Sequence, residues 1–195
     1  MGTFNRQGCP YFACHEDQFD IVRELLKHSD INVNFPHIYK GTPFVYAVNE
    51  NSIGSVRELL KHPNIDVNTE EPFGRTPLYM ASCEGRDRVV RELLRNDNKV
   101  DVNGMGDDGL APLHIASLEG KMKVVCELLK CNKVDVNRMG EHGETALVLA
   151  TKNSDNWDVV RELITHKNVD LNVRGRFCGY TVLMWATLKG ELEVV

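Results

Sequence analysis

In the stretch "GRTPLYMASCEG", residues 74–85, Ser82, Cys83 and Glu84 stand in a row, with Asp87 close behind. A thiol beside carboxylates invites comparison with a nucleophile, but a nucleophile needs a base and a group that orients it. No histidine falls in the surrounding pair of helical segments. The same frame returns as "GLAPLHIASLEG", residues 109–120, with Leu118 where Cys83 stood. Cys83 therefore reads as a variable surface position on a repeated element. The spacings Cys9-x4-Cys14 and Cys126-x4-Cys131 do not match the usual zinc pairs. His28, His62 and His166 share one repeat position just after a helix, where an imidazole suits exposed carbonyls and the helix dipole. Trp185, Tyr46 and Trp157 fall on helices as packing residues. The sequence predicts no catalytic residue, no cofactor and no metal.

Composition narrows the class. The 195 residues are 42% apolar and 26% charged, enough to bury a core and remain in solution. A net charge of -5 and dispersed basic residues argue against nucleic acid as a partner. No apolar run approaches the ~18 residues of a membrane span. The start, "MGTFNRQG", lacks a signal-peptide core, and Arg6 breaks the myristoylation pattern. Six cysteines without C-x-x-C pairs or framework spacing fit a reducing compartment, the cytoplasm first and the nucleus as alternative.

The elements that position these residues repeat. The pair Ile21-Val22 recurs as Ser55-Val56, Val89-Val90, Val124-Val125, Val159-Val160 and Val194-Val195, at steps of 34, 34, 35, 35 and 35 residues. Leu25-Leu26 recurs through Leu163-Ile164, and Val33-Asn34 through Leu171-Asn172, in the same register. Each unit reads as two helices and a loop. Thr76 caps a helix whose first residue is Pro77, and Gly85 ends it. A second helix carries Val89, Val90, Leu93 and Leu94 as an apolar stripe. Glu24/Lys27, Glu58/Lys61, Glu92/Arg95 and Glu127/Lys130, three apart, are expected on its solvated side. Ala111 replaces the capping Thr in the fourth unit, at a cost of roughly 1 kcal/mol. One such unit cannot bury its apolar face alone, so the units must stack.

The period near 34 residues, "TPLYMA" and "APLHIA" followed by Gly, "VVRELL" and "VDVN" resemble the ankyrin repeat across essentially the whole chain. The resemblance implies an all-α solenoid of helix-turn-helix units with projecting hairpin loops. Its units are 1–34 (a degenerate cap), 35–68, 69–103, 104–137, 138–172 and 173–195, the last truncated within its second helix. That truncation suggests a fragment of a longer protein with a frayed C-terminal unit. The longer "TKNSDNWDVV" of the fifth unit, with Ser154 or Asp155 for Gly, predicts a bulge. In this family the His of "APLHIA", His114, is structural and bonds between units.

The resemblance also implies a protein-binding concave face, made of hairpin tips and the ends of first helices. By register this face holds Tyr39, Glu50, Phe73, Arg75, Glu84, Asp107, Asp108, Leu110, Leu118, Glu119, Glu141, His142, Glu144 and Tyr180. Glu50, Glu84 and Glu119 occupy one repeat position, a ladder of like charge, beside apolar groups that the core does not need. The expected activity is that of a non-catalytic, monomeric scaffold binding a protein segment with basic and apolar side chains. The alternative is a regulatory or substrate-recognition segment of a larger enzyme, such as a kinase, ubiquitin ligase or channel, whose catalytic part lies beyond Val195.

Overall fold

A computed structural model of the chain describes residues 13–14, 18–38, 40–71, 73–152, 156–174 and 179–190. Among the described residues there is no strand, and the helices alternate between two rows. The outer row holds α1 (Phe19–Leu25), α3 (Ile53–Leu60), α5 (Asp87–Leu94), α7 (Met122–Leu129) and α9 (Trp157–Thr165). The inner row holds α2 (Pro43–Asn49), α4 (Pro77–Cys83), α6 (Pro112–Leu118), α8 (Ala146–Lys152) and α10 (Val182–Lys189). From α2 to α9 each helix packs on its partner within the unit, and along each row successive helices pack on one another.

The expected start signals operate. The Oγ1 atoms of Thr42, Thr76, Thr145 and Thr181 accept from the N–H groups of Val45, Tyr79, Val148 and Met184 at 3.2–3.4 Å. Ala111 offers no such cap, and its own N–H donates instead to His114 Nδ1 at 3.0 Å. Gly85, Gly120 and Gly190 leave their helices with φ of +73°, +65° and +74°. In the second unit Asn51 takes that place at φ +57°, one of the few side chains that visits the left-handed region readily.

The core runs between the rows as columns of one residue type. Val22, Val56, Val90, Val125 and Val160 are buried, as are Leu59, Leu93, Leu128 and Leu163. Ala47, Ala81, Ala116, Ala150 and Ala186 have no exposed surface, and a methyl side chain there lets successive inner helices approach. The fifth unit's expected bulge at Ser154 and Asp155 lies outside the described residues, as do Tyr39 and the chain after Gly190.

Polar seams join the units. Asn34, Asn68, Asn103 and Asn137 each donate from Nδ2 to a carbonyl of the next unit, those of Asn64, Lys99, Lys133 and Asn168, at 2.6–2.8 Å. Their Oδ1 atoms accept from the N–H groups of Asp66, Asp101, Asp135 and Asp170 at 2.8–2.9 Å. Each of these aspartates turns its carboxylate onto the N–H of the Asn two residues on.

A second seam corrects the solvated pairs of the sequence. The Glu/Lys and Glu/Arg pairs form at 2.6–2.9 Å. Glu58 and Glu92, however, are 7% exposed, because each also receives an arginine from the preceding unit. Arg23 meets Glu58 at 2.8 Å, Arg57 meets Glu92 at 2.6 Å and Arg91 meets Glu127 at 3.0 Å. Hydrogen bonds from Arg23 and Arg91 hold the Glu58 and Glu127 carboxyls down at about 2, against the opposing pull of burial. The next arginine position is Cys126, whose thiol is pushed up by burial and by the carboxylate of Glu162.

Candidate protein-binding face

The hairpin loops before the inner helices stack main chain on main chain. Glu71 N–H bonds to Arg75 O, Gly106 N–H to Leu110 O and Gly140 N–H to Glu144 O, closing three successive tips. Between tips, Asp107 N–H bonds to Phe73 O and Glu141 N–H to Gly109 O. A Cβ on Gly109 would lie 2.9 Å from the backbone nitrogen of Glu141, so the close stack requires glycine there. Phe73 sits at φ +73°, a strained conformation for an aromatic residue, and the residue is 68% exposed.

One position of each tip runs beside the inner helix toward the residue eight places on. In successive units the two positions hold Arg75 and Cys83, Leu110 and Leu118, Glu144 and Lys152, and Tyr180 and Leu188. Glu144 and Lys152 form an ion pair at 2.8 Å. Glu144 is 6% exposed, and its carboxylate is engaged in that pair. Tyr180 packs edge-on to Trp185, ring centroids 5.5 Å apart, and remains exposed. Leu110 and Leu118 are half-buried.

Arg75 is different. Its guanidinium lies 5.5 Å from the Phe73 ring centroid and 5.6 Å from that of Tyr79. It makes no hydrogen bond or ion pair among the described residues, and its Nε is buried without a partner. Asp108 is nearby but occupied: Oδ2 accepts from the Tyr79 hydroxyl and Oδ1 from Leu110 N–H. Burial, then the bond to Asp108, pushes the Tyr79 phenol well above its usual range.

Glu50, Glu84 and Glu119 are the C-cap residues of α2, α4 and α6, exposed and without an ion pair among the described residues. A carboxylate at a helix C-terminus opposes the dipole. Asp107, Glu141 and His142 are exposed at the tips. Cys83 lies half-buried near these groups. Burial raises its thiol pKa, and Glu119 and Glu84 raise it further, which lowers the thiolate population that a nucleophile would need. Among the described residues no group of His, Cys, Asp and Glu is arranged to hold a metal.

His114, 2% exposed, accepts from Ala111 N–H and faces Arg138 O of the next unit across 2.8 Å; the bond at Nδ1 places the proton on Nε2. Burial lowers its pKa and keeps it neutral. Tyr79 fills the same slot one unit earlier and also reaches forward, to Asp108. His62 and His166 do not cap helix carbonyls. Their Nδ1 atoms accept from the N–H groups of Asn64 and Asn168, at 3.2 and 3.5 Å, because the loop turns its donors toward the ring.

Stacked helix pairs with main-chain-linked tips define a repeat solenoid. The ankyrin-repeat family matches as copies spanning residues 5–71, 64–140 and 113–195, and the chain belongs to that family. Ankyrin repeats are generally protein–protein interaction modules. No curated protein matches the sequence. Similar solved structures include the ankyrin repeat protein EF0377, 24% identical with a TM-score of 0.83, over 98% of this chain and 96% of that one. An ankyrin repeat domain of Acinetobacter baumannii is 21% identical with a TM-score of 0.82, over 96% and 94% of the two chains. The ankyrin repeat domain of Bcl-3, a member of the IkappaB family, is 21% identical with a TM-score of 0.83, over 95% and 82%. At these identities the likeness is one of fold.

Proposed function

We propose that the chain is a non-catalytic scaffold of a reducing compartment that holds a segment of another protein on its concave face. The segment carries basic and apolar side chains. The observation that carries this reading is the row Glu50, Glu84 and Glu119: three exposed, unpaired carboxylates at helix ends that disfavour them, beside the exposed ring of Phe73. Phe73, Leu110, Leu118 and Tyr180 supply apolar contact, and Asp107, Asp108, Glu141 and His142 line the tips. Asp108 already serves Tyr79, so it shapes the face more than it recruits a charge.

The test is a kinetic comparison on a captured partner. Phe73→Ala and Leu118→Ala should speed dissociation, costing about 1–2 kcal/mol each, with little effect on association. Glu84→Lys with Glu119→Lys should lower the association rate and its salt dependence. Exposed Arg88 and Lys123, on the outer helices, are the controls. Binding lost through the controls but intact in all four face variants would assign the face to the other side.

A further inference from the structure

Of the five described pairs formed by a tip residue and the helix residue eight places on, Gly41 with Asn49 is uncharged, two are apolar and one is an ion pair. The fifth, Arg75 with Cys83, leaves a cation unanswered. The two rings beside Arg75 restrain its plane, and no protein acceptor uses its N–H edges. Asp108, on the neighbouring tip, has both carboxylate oxygens engaged by Tyr79 and Leu110. A guanidinium set against two aromatic rings has less freedom to lose on binding, and its planar fork matches a carboxylate with two parallel hydrogen bonds.

We propose that Arg75 receives an Asp or Glu side chain of the bound segment, so that the partner is of mixed charge: an acidic residue over Arg75 with basic residues toward Glu84 and Glu119. This rests on the concave-face reading and sharpens it. A purely basic segment would bring its cations against an unpartnered guanidinium, whereas an acidic residue at that point relieves it. The spacing follows from the stack. Neighbouring helices pack ~10 Å apart, and an extended chain advances ~3.3–3.6 Å per residue, so one unit corresponds to about three residues of the segment. The acidic residue and the base that meets Glu119 should therefore stand about three positions apart.

The experiment is selection from a random dodecapeptide library tethered through its C-termini, so that any selected carboxylate is a side chain. The baits are the wild-type chain, Arg75→Glu, Arg75→Gln, Arg75→Lys and the double variant Glu84→Lys/Glu119→Lys, each first checked for cooperative thermal unfolding. Wild type should enrich an acidic residue with a Lys or Arg about three places away. Arg75→Gln should lose the acidic preference, and Arg75→Glu should exchange it for a basic one. Arg75→Lys should keep it with affinity about tenfold weaker, since an ammonium provides a point charge and no fork. Should Arg75→Glu not fold, Arg75→Gln carries the same test. A wild-type consensus without the acidic residue, or one unchanged in Arg75→Gln, overturns the proposal. If the double variant alone alters the consensus, the concave face stands and Arg75 does not; if no variant alters it, or nothing is enriched, both fall.

Discussion

The seams between units and the concave face use the same charged residue types in opposite ways. Along the outer row, Glu58, Glu92 and Glu127 each collect two cations, one from their own helix and one from the unit before. Along the inner row, Glu50, Glu84 and Glu119 collect none among the described residues, and Arg75 on the same face finds no acceptor. Both rows are equally periodic. Periodicity alone therefore does not separate a scaffold charge from a contact charge; pairing does. A charge whose partner recurs one unit away is part of the stack, and a recurring charge with no recurring partner is left for something outside it.

The sharpest way to test that contrast is to cut a seam. Asn103→Ala removes a bond to Lys133 O and another from Asp135 N–H. It should cost about 1–3 kcal/mol in denaturant unfolding, while the folded fraction binds partner as before. If stability is unmoved, the asparagine seam is not what joins the units.

Acid should dissolve the seams in order. The His114 pKa is depressed below its unfolded value, so its contribution is present above pH ~6.5 and is lost as pH falls below it. Glu58 and Glu127 are depressed from 4.5 to about 2, so their contribution is full above the unfolded value and lost as pH drops from ~5 toward 2. Thermal midpoints measured from pH 8 to pH 2 should fall in these two stages. Glu58→Gln with Glu127→Gln should flatten the second stage alone; an unchanged acid limb would show that the arginine pairs contribute nothing.

Two smaller changes sharpen the comparison from either side. Cys126→Arg restores the missing member of the outer row opposite Glu162 and should raise stability by about 0.2–1 kcal/mol. Glu84→Lys with Glu119→Lys places cations where the helix dipole favours them and should stabilise by a few tenths of a kcal/mol, while weakening partner binding. Stability and binding moving in opposite directions would mark these carboxylates as functional. A loss of stability would make them structural after all.

Much of the fold was legible because it is written six times. The Val, Leu and Ala columns, the Thr caps and the glycines that end helices follow from register. The outer arginines were legible too, since Arg23, Arg57, Arg91 and Arg161 recur with Cys126 as the gap. Yet pairs three residues apart drew attention to the single helix and hid the partner one unit away. The asparagine of "VDVN" served as a marker of register without its bonds, because its acceptors are main-chain groups that carry no residue signature. The face was legible as positions but not as states. Glu144 and Arg75 occupy the same slot, and only the residue eight places on, Lys152 or Cys83, decides which one is satisfied. Tyr79 occupies the histidine slot, and its reach to Asp108 depends on a tip whose shape the sequence does not spell out.

The asparagine seam has a consequence for the length of the molecule. Among the described residues, four successive units offer their successors the same amide, which the next unit meets with the same carbonyl and N–H. Removing residues 69–103 as a block would present Asn68 to Lys133 O and Asp135 N–H, and Arg57 to Glu127, each the counterpart of what it lost. The array is thus interchangeable in whole units, like beads with one kind of clasp, and can shorten or lengthen by recombination at "VN" without inventing a joint. What such an excision would erase is the text carried on the bead: Phe73, Arg75 and Glu84 would go together, leaving a sound structure that no longer addresses the same partner.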